Sequence, residues 1–187
     1  DYVIKARALG LDVAEVREFP SVIVVGEDMT LLVSVKAAGS AYPLRGALMI
    51  ADQPEGESYS PRSGPVAGTA WGDARLWAQS RLSRGATITL GRLDLTLTQV
   101  IKREPDRGQF LFDLAAPRLL IGLQDLGATG LVTEASRVRY RLLLAGSAQA
   151  LDTYRRWFKR QQAEGLTEGI EIEGARADAL KRWLELA

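Results

Sequence analysis

Two carboxylates two positions apart, Glu104 and Asp106, lie in the segment Arg103-Glu104-Pro105-Asp106-Arg107-Gly108. A carboxylate pair on a proline-glycine turn has the makings of a general acid-base site or of a site for a hard cation. Arg103 and Arg107 on either side predict a plainer use: local ion pairing that keeps both carboxylates ionised and locks the turn. A turn of similar build occurs earlier, at Tyr42-Pro43-Leu44-Arg45-Gly46. In each, proline sets the bend, glycine relaxes it, and a guanidinium lies between. Tyr42, Arg45, Arg103, Glu104, Asp106 and Arg107 are therefore the expected site residues, as a partner-docking surface or as structural turns.

Other catalytic chemistry is scarce. The chain has no His, no Cys and no Asn, so the usual proton shuttle and the thiolate nucleophile are both missing. Without His or Cys a tetrahedral zinc site is not expected. Gly56-Glu57-Ser58-Tyr59-Ser60 lacks the Gly-x-Ser-x-Gly spacing of a nucleophile elbow. Gly127 and Gly130 have neither phosphate-loop nor dinucleotide spacing. The expectation is a chain without catalytic residues, metal or cofactor of its own.

Composition agrees with a folded, non-specialised domain. Of 187 residues, 47% are hydrophobic and 25% charged, and the net charge is +1. That is enough chain to bury a core, and no field of one sign points to nucleic acid. The absence of Cys rules out a disulfide framework. No stretch reaches the ~20 apolar residues of a membrane span, and no signal peptide is visible. The chain opens without Met and its last helical pattern, through Trp183 and Leu186, carries no cap. Those ends predict a segment cut from a longer protein.

The elements that must position the two turns read as a mixture of strands and helices. A short helix is expected over 2–9, ending at Gly10. Val22–Val25 and Leu31–Val35 read as a hairpin around 26–29, with a third strand over 46–50. Residues 52–68, rich in Pro, Gly, Ser and Glu, read as a mobile loop. Asp73 is suited to cap a helix containing Leu76, Trp77 and Leu82 and closed by Gly85, with Trp71 and Trp77 in the core. The clearest strands are 87–90 and 93–100 about Gly91-Arg92, where Leu, Ile and Val alternate with Thr. Val138–Leu144 is another, then a Ser147-capped helix over 148–164, a short strand at 170–172 and a final helix. Arg155, Arg156, Lys159 and Arg160 lie opposite the apolar stripe of the 148–164 helix. They form either a solvated surface or a face for anionic lipid.

The motif series goes further. Ala37–Gly46, Thr69-Ala70-Trp71-Gly72-Asp73-Ala74-Arg75-Leu76, Arg103–Gly108, Ala116-Pro117-Arg118 and Ser136-Arg137-Val138 together resemble the large periplasmic segment of YbbP-like permeases. These lie within the FtsX/MacB-like superfamily of ABC transporter permease subunits, and the likeness covers essentially the whole chain. It implies an α+β, MacB-like periplasmic core lying between two membrane helices of an inner-membrane protein. An α/β lobe is expected over about 1–72 and 136–187, and a smaller β-rich lobe over about 73–135. It also implies a homodimeric permease in which ATP is bound only by a separate cytoplasmic ATPase subunit. The expected role is non-catalytic: docking a periplasmic lysophospholipase/thioesterase-type hydrolase of the GDSL type and transmitting ATP-driven movement, in export or extraction of hydrophobic compounds. The alternative is a small-ligand or lipid-binding module with an apolar cleft.

Overall fold

The structure is a computed structural model, described here for residues 1–107, 115–133 and 136–166. Eight strands form one mixed sheet: β1 (Asp12–Val25), β2 (Met29–Ala38), β3 (Met49–Ala51), β4 (Thr69–Asp73), β5 (Thr87–Leu90), β6 (Leu93–Arg103), β7 (Arg118–Gly122) and β8 (Arg139–Ala145). Among the described residues the helices are α1 (Tyr2–Ala8), α2 (Ala74–Ser80), α3 (Leu126–Thr129) and α4 (Ala148–Ala163). The expected strand at 170–172 and the final helix lie outside the described residues.

The sheet closes. β1 pairs with β2, and the order continues through β7, β4, β6 and β5 back to β1, with β8 on the outer half of β1 and β3 on the end of β6. β2–β7 and β4–β6 are parallel and the other pairs antiparallel. Because successive strand residues point to opposite faces, each strand lends one set to the inside and one to the outside. Ile23, Val33, Val35, Ile88, Leu90, Leu95, Leu97, Leu119 and Ile121 fill the interior as one apolar cluster, with Trp77 of α2 packed on it. A second cluster, with Val16, Tyr42, Ile50, Trp71, Ile101 and Leu120, gathers the residues of alternate parity outside.

The hairpins appear where period two and glycine predicted them, though β1 extends back to Asp12. Gly91, at φ 61, turns β5 into β6 with Leu90 opposite Leu93. Asp73 caps α2 by accepting from the Leu76 amide at 2.9 Å, as expected. That helix ends at Arg81 in the left-handed region and not at Gly85, so Leu82 packs on the core from outside the helix. The expected strand at 46–50 shrinks to Met49–Ala51, because Gly46 and its neighbours belong to the turn. Residues 52–68 carry an isolated bridge from Ile50 to Tyr59, and Lys102 and Arg84 hold the Pro54 carbonyl and Asp52. Among the described residues no helix is long and apolar enough to cross a membrane.

Cα packing divides the chain into Asp12–Ala145 and a second unit of residues 1–11 with the chain from Gly146. The expected divisions near 72/73 and 135/136 fall elsewhere, because β1 and β2 hydrogen-bond to β5 and β7 and leave no break there. In the second unit α1 begins on Asp1, which accepts from the Val3 amide at 2.9 Å. Ser147 caps α4 through the Ala150 amide at 3.2 Å. The Tyr2 ring meets Trp157 and Phe158 of α4, each at 5.9 Å between centroids, which is where the apolar stripe of that helix is spent.

Candidate functional site

The two turns meet each other. Gly46 has φ +78, and a Cβ placed on it would lie 2.6 Å from the Pro105 Cβ. Glycine is therefore required there twice, by backbone conformation and by space. The Tyr42–Pro43 peptide is cis. Tyr42 turns inward and donates its hydroxyl to Asp106, with Glu104 Oε1 at 3.3 Å.

Beneath the turns the outer face of the barrel carries charge where its neighbours carry Val and Leu. Lys36 on β2 is fully buried, with its Nζ on Glu104, 2.9 Å from Asp106 Oδ1 and 3.1 Å from Glu18 Oε1 on β1. Arg118, at the start of β7, is also fully buried. Its Nε donates to Glu104 Oε2 at 3.0 Å and one terminal nitrogen to Ser34 Oγ at 2.7 Å. Arg141 on β8 reaches Asp106 Oδ2 at 3.3 Å and Glu18 Oε2 at 3.5 Å. Strand register explains the assembly: Glu18 lies opposite Lys36, Ser34 opposite Arg118, and Val16 opposite Arg141, all of one parity. Three cations thus face three carboxylates.

That balance makes burial tolerable, since an unpaired charge in such a place costs several kcal/mol. It also settles the protonation states. Burial alone would lower the Lys36 pKa, but the carboxylates of Glu104, Glu18 and Asp106 outweigh it and hold it above 10.5. Burial and the carboxylates of Glu104 and Asp106 push the Tyr42 phenol far up. For Asp106 burial is outweighed by Lys36 and the Tyr42 hydrogen bond, which hold it below 3.8. At neutral pH Lys36 and Tyr42 stay protonated and Asp106 stays ionised, so none of the three is poised to exchange a proton. The arrangement is suited to holding segments together.

The flanking arginines behave otherwise than expected. Arg107 donates to Asp73 Oδ2 at 2.6 Å, bracing the cap of α2, and Asp73 also holds Arg75 at 3.3 Å. Arg103 is exposed at the end of β6, with no ion pair among the described residues. Arg45 is exposed at the tip of its turn. Beside it lies a cavity of about 360 Å³ lined by residues including Ser40, Pro43, Gly46, Ser60, Arg62 and Ser63, a lining more polar than an acyl chain needs. Sequence reasoning missed Glu18, Lys36, Arg118 and Arg141. For Lys36 and Arg118 the available signal was a single charge in a mostly apolar strand segment, as in Val33-Ser34-Val35-Lys36-Ala37-Ala38 and Arg118-Leu119-Leu120-Ile121. Among the described residues no cluster of carboxylates could hold a metal ion.

No family model matches the chain. It is 33% identical over 180 residues to the uncharacterized ABC transporter permease YbbP of Escherichia coli (strain K12), a match covering 95% of this chain and 21% of that protein. The chain thus spans about a fifth of that relative. Two solved structures share the fold. The periplasmic region of MacB from Actinobacillus actinomycetemcomitans superposes with a TM-score of 0.59 at 13% identity, covering 99% of this chain and 83% of the other. The extracellular domain of the noncanonic ABC-type transporter YknZ from Gram-positive bacteria gives 0.58 at 11% identity, covering 91% and 88%.

Proposed function

We propose that this chain, 33% identical to an ABC transporter permease over 95% of its length and MacB-like in fold, is a periplasmic domain of such a permease that docks a partner and passes on ATP-driven movement. The domain is non-catalytic. In this reading ATP is hydrolysed on a separate cytoplasmic subunit and the full permease is a homodimer of the inner membrane. The docked partner is a periplasmic lysophospholipase/thioesterase-type hydrolase, and the work done is export or extraction of hydrophobic compounds.

The buried cluster is the observation that carries the proposal. It ties the Tyr42–Gly46 turn and the Glu104–Asp106 turn to β1, β2, β7 and β8. A load applied at the exposed turn reaches the barrel wall through buried, short contacts, which suits a transmitting element better than a hinge would. Arg45, exposed at the tip, is the docking residue in this scheme, while Tyr42, Glu104, Asp106 and Arg107 position it and its surroundings.

A pull-down of the domain against the hydrolase tests the reading. Arg45→Ala is expected to weaken capture, and Arg107→Ala to leave it intact in the folded fraction. If the wild-type domain captures no hydrolase, alone or within the full permease, the docking half fails. If Arg45→Ala captures as well as wild type, the turn is structural only.

A further inference from the structure

We infer that the outward face of α4 is a docking surface for an anionic bilayer, with Arg155, Arg156, Lys159 and Arg160 meeting lipid phosphates. The inference shares with the proposed function only the premise that the domain works beside a membrane.

The helix divides its surface sharply. Tyr154 and Phe158 are buried, while the four cations are exposed. At 3.6 residues per turn, positions 155, 156, 159 and 160 fall on one face opposite 154 and 158, within about 7.5 Å along the axis. The spacing sets Arg155 against Lys159 and Arg156 against Arg160, both like-charge pairs at i,i+4, which destabilise an isolated helix. Among the described residues Arg156 alone has a carboxylate within reach, Asp152 at 3.3 Å. Glu164, just past the helix, is engaged by Gln161 at 3.2 Å. Among the described residues Arg155, Lys159 and Arg160 have no carboxylate partner. The chain as a whole is nearly neutral at +1. A local excess of positive charge that the fold does not require points to an external anion.

Shape favours a surface over a single bound ion. Thr153, Arg156, Lys159 and Arg160 line an open depression of about 490 Å³ on the helix, with no buried donor among the described lining residues that would enclose one phosphate. Cations spread over two turns of an open face match phosphates spread in a plane. The apolar side of α4 packs on Tyr2, so the attraction is electrostatic and not insertion of the helix.

Co-sedimentation of the 187-residue chain with vesicles tests this. Vesicles of equal parts phosphatidylglycerol and phosphatidylcholine should take up the chain, and pure phosphatidylcholine should not. Each cation near the surface is worth about fivefold in partition, so R155E/K159E should lower uptake by tenfold or more. R155Q/K159Q should lower it less, with the helical circular dichroism of wild type, which separates lost charge from lost fold. Raising ionic strength to about 1 M, where the screening length is ~3 Å, should release the chain. Arg84→Gln, which removes an exposed cation of the other unit, should change nothing. Competition by millimolar inorganic phosphate at constant ionic strength would assign the face to a single anion and overturn the inference. Equal uptake by both vesicle types, no uptake by either, or unchanged uptake by both folded double variants would overturn it too, and would leave the face to solvent or an acidic protein segment. The docking test with the hydrolase is independent of all these outcomes.

Discussion

Lys36, Arg118 and Arg141 meet Glu18, Glu104 and Asp106 beneath two rigid turns, whereas among the described residues only one of the four cations of α4, Arg156, meets a carboxylate, Asp152. Residue types are the same in both places, and their circumstances are opposite. The Lys36 side chain is wholly buried and that of Arg156 is 69% exposed. In the interior each charge needs a partner, because desolvation outweighs anything one contact returns. At the surface water does the solvating, and an excess of one sign is tolerated at small cost. The buried set therefore reports on architecture, and the exposed set is free to report on partners.

The sharpest way to break this comparison is to unbalance the buried set. Lys36→Met removes one cation of three and is expected to destabilise the domain by about 3–5 kcal/mol, read from urea unfolding. A loss under 1 kcal/mol would mean that the cluster is not held as described. The pH profile sharpens the same point. Asp106 lies below 3.8 in the fold, so its contribution is present above 3.8 and is lost as pH falls through its folded value. Lys36 and Tyr42 lie above 10.5 and 10.0. Their contributions are complete below those values and are lost as pH rises through the folded ones. The urea midpoint should be level between these limits as far as this cluster is concerned, with the alkaline fall shallower in Lys36→Met.

A smaller effect is expected at the junction of the turns. Gly46→Ala sets a side chain at φ +78 and against Pro105, for a loss of about 1–3 kcal/mol; a neutral result would show that the turns do not press on each other. The smallest belongs to α4. Arg155→Ala should change stability by less than about 0.5 kcal/mol, in either direction. A loss comparable to that of Lys36→Met would erase the distinction between the two sets.

Much of the architecture was legible locally. Period two marked β5 and β6, Gly91 their turn, and Asp73 and Ser147 the caps of α2 and α4. The turns themselves were legible, since proline and glycine act on their own backbone. Three of the chosen site residues, Tyr42, Glu104 and Asp106, do come together. The pairing of Glu104 and Asp106 with Arg103 and Arg107 did not survive, because Lys36, Arg118 and Arg141 from other strands take both carboxylates and Asp73 takes Arg107. β4 and β7 were not expected at all: Thr69–Asp73 and Arg118–Gly122 are short, and a short buried strand shows no alternation.

Taken alone, the sequence determined the local turns and caps, and the amphipathic helix with its basic face. All of these depend on residues within a turn or two of each other, where spacing acts directly. Tertiary structure alone decided which charges share an interior. Glu18, Lys36, Arg118 and Arg141 are brought together because β8, β1, β2 and β7 lie side by side through the β1–β8, β1–β2 and β2–β7 pairings. Strand register across a closed sheet is a long-range property, set by packing of the whole barrel, and no short stretch of chain contains it.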